Sequence, residues 1–343
     1  MALLIVAQDT AHSTAYIDDV FSELAGHMDL DGLKYLVWEF VGLRKPCGLK
    51  VAGREPSGIY SIVGSCGDDI IGLRQCRTSG KSQIVALREG DLAGAGKLIL
   101  ESESWLTDAW QSSLCTDGDE KIYHVDNTDK VYEINNTDVS GEMRVLKTDV
   151  PESALLYRTR LIDSTLYVGC AGASRISRVL CTVDLASGKF DTVKCNGEDV
   201  EFLYAFDVQK TATEGMTRIA YLRPTRGRPR LELVIVTVDK DGMAKSTLTL
   251  PSSGGMHFRF LAASDGILCM AEGSELRLID TESTEVLCKC DIGLSWGSSI
   301  ESMSMDSIRL IALNSHRGLE IINVYVQYRY TAEDSCTNEP DCQ

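Results

Sequence analysis

The sequence predicts an all-β chain, a six-bladed β-propeller with a short N-terminal helical extension. Two observations predict it. One strand–turn–strand phrase recurs along the chain, and its copies are evenly spaced. In the clearest copy, Leu276, Leu278 and Ile279 precede Asp280, and a polar turn follows at 281–284. Val286, Cys288 and Cys290 then alternate with Leu287, Lys289 and Asp291. Period-two patterning bounded by turn residues reads as two strands joined by a tight turn.

The phrase recurs at 131–135 before 143–146, at 180–184 before 190–193, and at 233–239 before 248–250. Two further copies flank these four. Residues 84–88 precede a strand at 98–100, and residues 319–323 precede a strand at 324–326. The polar residue closing the first strand of each copy is Arg88, Asn135, Asp184, Asp239, Asp280 or Asn323. Successive intervals are 47, 49, 55, 41 and 43 residues. An all-strand repeat of about 40–50 residues is the mark of a propeller blade.

Composition sets bounds on this reading. The chain has 343 residues and 44% hydrophobic content, enough for a large core. Proline is scarce at 7 and glycine ample at 29, as many tight strand turns require. The formal net charge is −16, so the surface as a whole repels nucleic acid and anionic lipid. No apolar run approaches the roughly 18–20 residues that span a bilayer.

In chain order, residues 1–50 form an N-terminal extension outside the blade pattern. Met1 to Ala7 is apolar but lacks a positive start. It is a marginal match to a signal peptide, and a buried strand is preferred. Ile17, Val20, Phe21 and Leu24 fall at helical spacing behind Asp18 and Asp19. Leu33, Leu36, Val37 and Phe40 mark a second helix, and Gly42, Pro46 and Gly48 punctuate its exit. A helical hairpin is therefore expected over 14–41.

Blades are expected at 57–100, 110–146, then to 193, 250, 291 and about 330, so the propeller occupies 51–330. A polar tail, 331–343, carries Cys336 and Cys342, which would close a small loop in an oxidising compartment. Twelve cysteines is a high count. Cys170, Cys181, Cys269, Cys288 and Cys290 sit in apolar strand patterns, where a free thiol acts as a small hydrophobe. One glycosylation sequon begins at Asn135. The compartment stays open, with the cytoplasm preferred over secretion.

Motifs for chemistry mostly fail. The run Ser79, Gly80, Lys81, Ser82 ends like a phosphate loop, but position 75 is Gln where glycine is needed. Gly94, Gly96 and Lys97 are followed by Leu98, with no hydroxyl for magnesium. Ser174 lacks the glycine of a nucleophile elbow. His124, His257 and His316 have no spacing that demands convergence. Cys288 and Cys290 share one strand face, but zinc wants about four ligands and no second pair follows. No metal and no cofactor is expected. The most distinctive run is Arg223, Arg226, Arg228 and Arg230 around two prolines and a glycine, in a hairpin loop of blade four. It reads as a solvated loop or as an anion- or acidic-partner-binding finger.

The turn Val183, Asp184 to Gly188 is similar to that of the quinoprotein-like and related propeller superfamily. The repeats carry no Trp-Asp or Gly-His dipeptide. This resemblance implies fold rather than activity. The stretches 18–24, 28–33 and 36–38 resemble an F-box, although Tyr16 and Ile17 stand where that family has Leu-Pro. That resemblance implies that Leu33, Leu36 and Trp38 dock the adaptor of a cullin ubiquitin ligase.

The function expected first is a non-enzymatic platform for protein partners, with Arg223, Arg226, Arg228 and Arg230 as contact residues. The alternatives are a ubiquitin-ligase substrate receptor, or a secreted propeller enzyme or binder acting on sugars or small molecules.

Overall fold

The third strands of several sheets are apolar on both faces, as in β4 (Ser82–Arg88) and β19 (Leu231–Asp239), and the architecture buries both. The computed structural model describes residues 44–330. It leaves out 57–58, 67–68, 77–78, 89–95, 103–113, 118–119, 126–129, 136–142, 172–177, 225–230, 252–258, 294–299, 306–308, 315–319 and single positions at 153, 155, 204, 212, 214, 240, 242 and 265. The described residues contain strands and no helix. The expected helical hairpin at 14–41 and the tail at 331–343 lie outside them. Residues Leu49–Val326 form one compact unit.

Five sheets are each built from four consecutive strands. The first joins β2 (Ile59–Cys66), β3 (Asp69–Gln75), β4 (Ser82–Arg88) and β5 (Lys97–Ser102). The second joins β6 (Leu114–Thr116), β7 (Lys121–Val125), β8 (Val131–Asn135) and β9 (Met143–Leu146). The third joins β10 (Leu156–Ile162), β11 (Thr165–Ala171), β12 (Arg178–Asp184) and β13 (Phe190–Thr192). A small insertion follows it. There β14 (Lys194–Cys195) pairs with β15 (Glu198–Asp199), and β16 (Glu201–Phe202) returns to β12.

The fourth sheet joins β17 (Phe206–Lys210), β18 (Met216–Pro224), β19 (Leu231–Asp239) and β20 (Ala244–Pro251). The fifth joins β21 (Arg259–Ser264), β22 (Ile267–Glu272), β23 (Glu275–Asp280) and β24 (Val286–Asp291). The sixth sheet has the order β1-β27-β26-β25, with β25 (Ile300–Met305), β26 (Arg309–Asn314) and β27 (Glu320–Tyr330). Its fourth strand is β1 (Arg44–Pro56), from the other end of the chain.

The first strands of the sheets close a ring. β2 touches β6, β6 touches β10, β10 touches β17, β17 touches β21, β21 touches β25, and β25 returns to β2. This is a propeller, and these six strands line its centre. One expectation changes. The sequence suggested a strand break after Asn323 and a blade completed near residue 330. Instead β27 runs unbroken through Asn323, and β1 completes the sheet from within a segment assigned partly to the N-terminal extension. Joining the two chain ends in one sheet removes an open seam from the ring.

The core lies between blades, and strand periodicity builds it. In the second sheet, Leu114, Ile122 and Ile134 pack with Val63, Ile71 and Ile84 of the first. Their neighbours Cys115, Tyr123 and Val131 pack with Leu156, Leu166 and Val183 of the third. The fourth sheet behaves alike. Ile219, Tyr221 and Val234 face the third sheet, while Ala220, Leu222 and Leu233 face Leu261, Leu268 and Ile279 of the fifth. That is why Leu231 to Val238 is a nearly continuous apolar run: alternate side chains bury against different neighbours.

The recurrent aspartate has a local cause. Asp184 closes β12, and its Oδ1 accepts the Ser187 N–H and the Ser187 hydroxyl, both at 2.7 Å. Asp239 accepts the N–H groups of Asp241 and Met243, and Asp280 those of Glu282 and Ser283. A short carboxylate bonding the backbone just ahead turns the chain into the fourth strand of the blade.

Candidate functional site

The most unusual chemistry sits on the inner strands of blades three, four and five. Along β10, Tyr157 pairs with Gly169 and Thr159 pairs with Val168, so Arg158 is an extra residue, a β-bulge. Its φ is +29°, in the left-handed half of conformational space that side chains rarely occupy. The bulge re-aims the side chain. Arg158 Nη2 donates to the Leu261 carbonyl at 3.1 Å, on β21. Since β17 stands between β10 and β21 in the ring, this bond crosses the interior of the propeller. The Arg158 guanidinium carbon lies 6.0 Å from the centre of the Phe206 ring, within cation–π range.

Arg158 keeps only 9% of its surface exposed. Burial, followed by the neighbouring Arg160 charge, pushes its guanidinium down to about 9, while Asp207 acts in the opposite sense. Arg160 itself is paired. Its Nε donates to Asp207 Oδ1 on β17 at 2.8 Å, and its Nη1 to the Thr159 carbonyl at 3.0 Å. Asp207 is 4% exposed and also accepts the Val208 N–H. Among the described residues, the cluster thus holds two cations and one carboxylate.

A second polar group stitches blade four to blade five. The Thr281 hydroxyl donates to the Gly266 carbonyl at 2.6 Å and accepts from Arg218 Nη1 at 2.7 Å and Gln209 Nε2 at 3.1 Å. Gln209 Oε1 accepts the Gly266 N–H. Both lone pairs and the proton of one buried hydroxyl are used, the requirement for burying such a group without penalty.

Of the residues singled out in the sequence, Arg223 is described. It lies near the end of β18, opposite Glu232 in the hairpin, and pairs with that carboxylate. Its charge also acts on Cys195 of the insertion before β17. Arg226, Arg228 and Arg230 lie outside the described residues, as do Leu33, Leu36, Trp38, Cys336, Cys342, His257 and His316. His124 is on β7, a second strand, and stacks on Tyr132 at 5.7 Å. It therefore does not line the centre. The phosphate-loop look-alike at Ser79 to Ser82 is the turn between β3 and β4, with Gly80 at φ +70°. Among the described residues, no group of three or more His, Cys, Asp or Glu is placed to hold a metal ion.

Sequence reasoning missed Arg158, Arg160 and Asp207. A signal existed. Arg158 and Arg160 interrupt an apolar run from Leu155 to Ile162, and Asp207 interrupts Phe206 to Val208. Charges inside otherwise buried strands are rarely placed without a partner or a purpose.

No protein-family model matches the chain, and no curated protein matches it. Among solved structures, it is similar to a chain in the crystal structure of a nidogen/laminin complex. The identity is 10%, the TM-score 0.48, and the match covers 72% of this chain and 88% of that one. It is also similar to a member of the duf4221 family from Bacteroides vulgatus. There the identity is 9%, the TM-score 0.47, and the match covers 84% of this chain and 100% of that one. Neither likeness bears on activity.

Proposed function

We propose that the chain is a non-enzymatic platform for a protein partner with an acidic contact surface. What supports this reading is Arg223, near the end of β18 where the arginine-rich segment of the sequence begins. In an antiparallel four-stranded sheet, the connection between the second and third strands leaves at the same end as the link to the next blade. The end of β18 that carries Arg223 therefore lies on the same face as the β14–β16 insertion between blades three and four. Connections on a rigid scaffold are where recognition residues usually sit.

On a chain of net charge −16, a local cationic segment has a field opposite in sign to its surroundings. That field reaches roughly 8 Å at physiological salt. A glutamate-rich probe peptide titrated against the full chain tests the reading. Binding should weaken as salt rises and be lost when Arg226, Arg228 and Arg230 are all replaced by serine, with association slowed more than dissociation is accelerated. Equal binding by the triple variant would overturn it.

A further inference from the structure

We propose that the centre of the ring, beside Arg158, is a binding site for one small oxyanion, a carboxylate or phosphate group. Four observations on the inner strands carry this. First, Arg158 is a cation with 9% exposure, and no described residue forms an ion pair with it. Second, its Nε has no hydrogen-bond partner, although an arginine side chain offers five N–H donors. Among the described residues, Nη2 is engaged by the Leu261 carbonyl. Third, Asp207, the carboxylate whose charge acts on Arg158, is bonded by Arg160 at 2.8 Å, so two cations share it among the described residues. Fourth, the side chain is put there by an inserted residue at φ +29°.

The alternative is that Arg158 is a packing element that fills the centre. A filler has no need of charge. A leucine or methionine in a regular strand would occupy the space without desolvating a guanidinium or straining the backbone. Buried cations left without a counter-charge are strongly unfavourable. Backbone strain of this kind persists where the surroundings over-determine it, and such sites cluster where ligands bind. Arginine presents adjacent N–H groups in a fixed fork that matches two oxygens of a carboxylate or phosphate. With Nη2 held by Leu261 and the face held by Phe206, the fork is fixed before a ligand arrives, which lowers the ordering cost of binding. The site is distinct from the arginine-rich connection of blade four. It takes a small ion or the acidic end of a small molecule.

The test uses the full chain and two probes, acetate and inorganic phosphate, each followed by isothermal titration calorimetry at low salt. At least one should bind saturably at one site per chain, and comparison of the two separates carboxylate from phosphate recognition. Arg158→Met should weaken that binding by about 10- to 100-fold, the range expected for losing charge-assisted hydrogen bonds. Arg88→Met, at an exposed position, should leave it unchanged. A second measurement avoids mutation altogether. Phenylglyoxal modification of the wild-type chain, mapped by mass spectrometry, should spare Arg158 when the bound anion is present. The proposal fails if neither probe saturates, if Arg158→Met binds as the wild type does, or if the anion gives Arg158 no protection.

Discussion

Arg160 on β10 and Asp207 on β17 meet at 2.8 Å between the inner strands of adjacent blades, with side-chain exposures of 18% and 5%. Two residues earlier on the same strand, Arg158 reaches past them to β21. One strand therefore supplies a satisfied cation and an unsatisfied one, and the difference between them is a single inserted residue. The Arg160–Asp207 pair is structural and ties blade three to blade four.

Removing one partner of that pair should be costly. Asp207→Ala leaves Arg160 half-buried without its carboxylate, and such truncations cost about 3–5 kcal/mol. Replacing both, Arg160→Met with Asp207→Leu, should cost clearly less, because no uncompensated charge remains. Urea denaturation of the two variants checks the order. A double variant no more stable than Asp207→Ala would contradict it.

The blade architecture was largely legible because its causes are local. Asp184, Asp239 and Asp280 mark turns by bonding the backbone just ahead, and strand alternation around Leu222 and Leu233 reflects burial against two neighbours. Three features were not legible. The pairing of β1 with β27 joins opposite ends of the chain, and no local pattern signals a partner so far away. Asn323 resembles the other turn-closing residues but continues in a strand, because the sheet draws its fourth strand from elsewhere. Arg158 stands out only once the ring shows which strands are inner, since the same Arg-Thr-Arg triplet on an outer strand would be ordinary surface.

Gly188 should tolerate no side chain. Its φ is +77°, and a Cβ there would collide with the Lys147 carbonyl oxygen, while its own carbonyl accepts the Asp149 N–H at 2.8 Å. Gly197 has a similar φ, +86°, but open space around it. Gly197→Ala should cost about 1–2 kcal/mol from backbone conformation alone. Gly188→Ala adds a steric term of about 1–3 kcal/mol. Chemical denaturation of both variants should separate them by that amount. Equal losses would show that the contact with Lys147 yields freely.

Cys115 and Cys269 should be inert in the folded protein. Burial pushes the Cys115 thiol up to about 12, with partial relief from Thr159 and Arg160, and burial likewise raises Cys269. Only the thiolate reacts with alkylating reagents. At pH 8, iodoacetamide should leave both unmodified until denaturant is added, as read by peptide mass spectrometry. Labelling of either at the rate of a free thiol in native buffer would show that blades two or five open readily.

The turn aspartates give the stability a defined acid dependence. Asp184 is held below the usual aspartate value of 3.8, first by the Ser187 hydroxyl and then by backbone N–H groups. Asp291 is lowered by the Gly293 N–H and then by Ser274. A carboxylate depressed in the folded state stabilises it above the unfolded value, and the contribution is lost as pH falls through the folded value. The urea midpoint should therefore hold steady from pH 7 down to about 5 as far as these groups are concerned, then fall below about pH 4. Asp184→Asn keeps an accepting oxygen but cannot titrate. That variant should lose less stability than the wild type between pH 4 and pH 2, and an identical acid slope would remove Asp184 from the account.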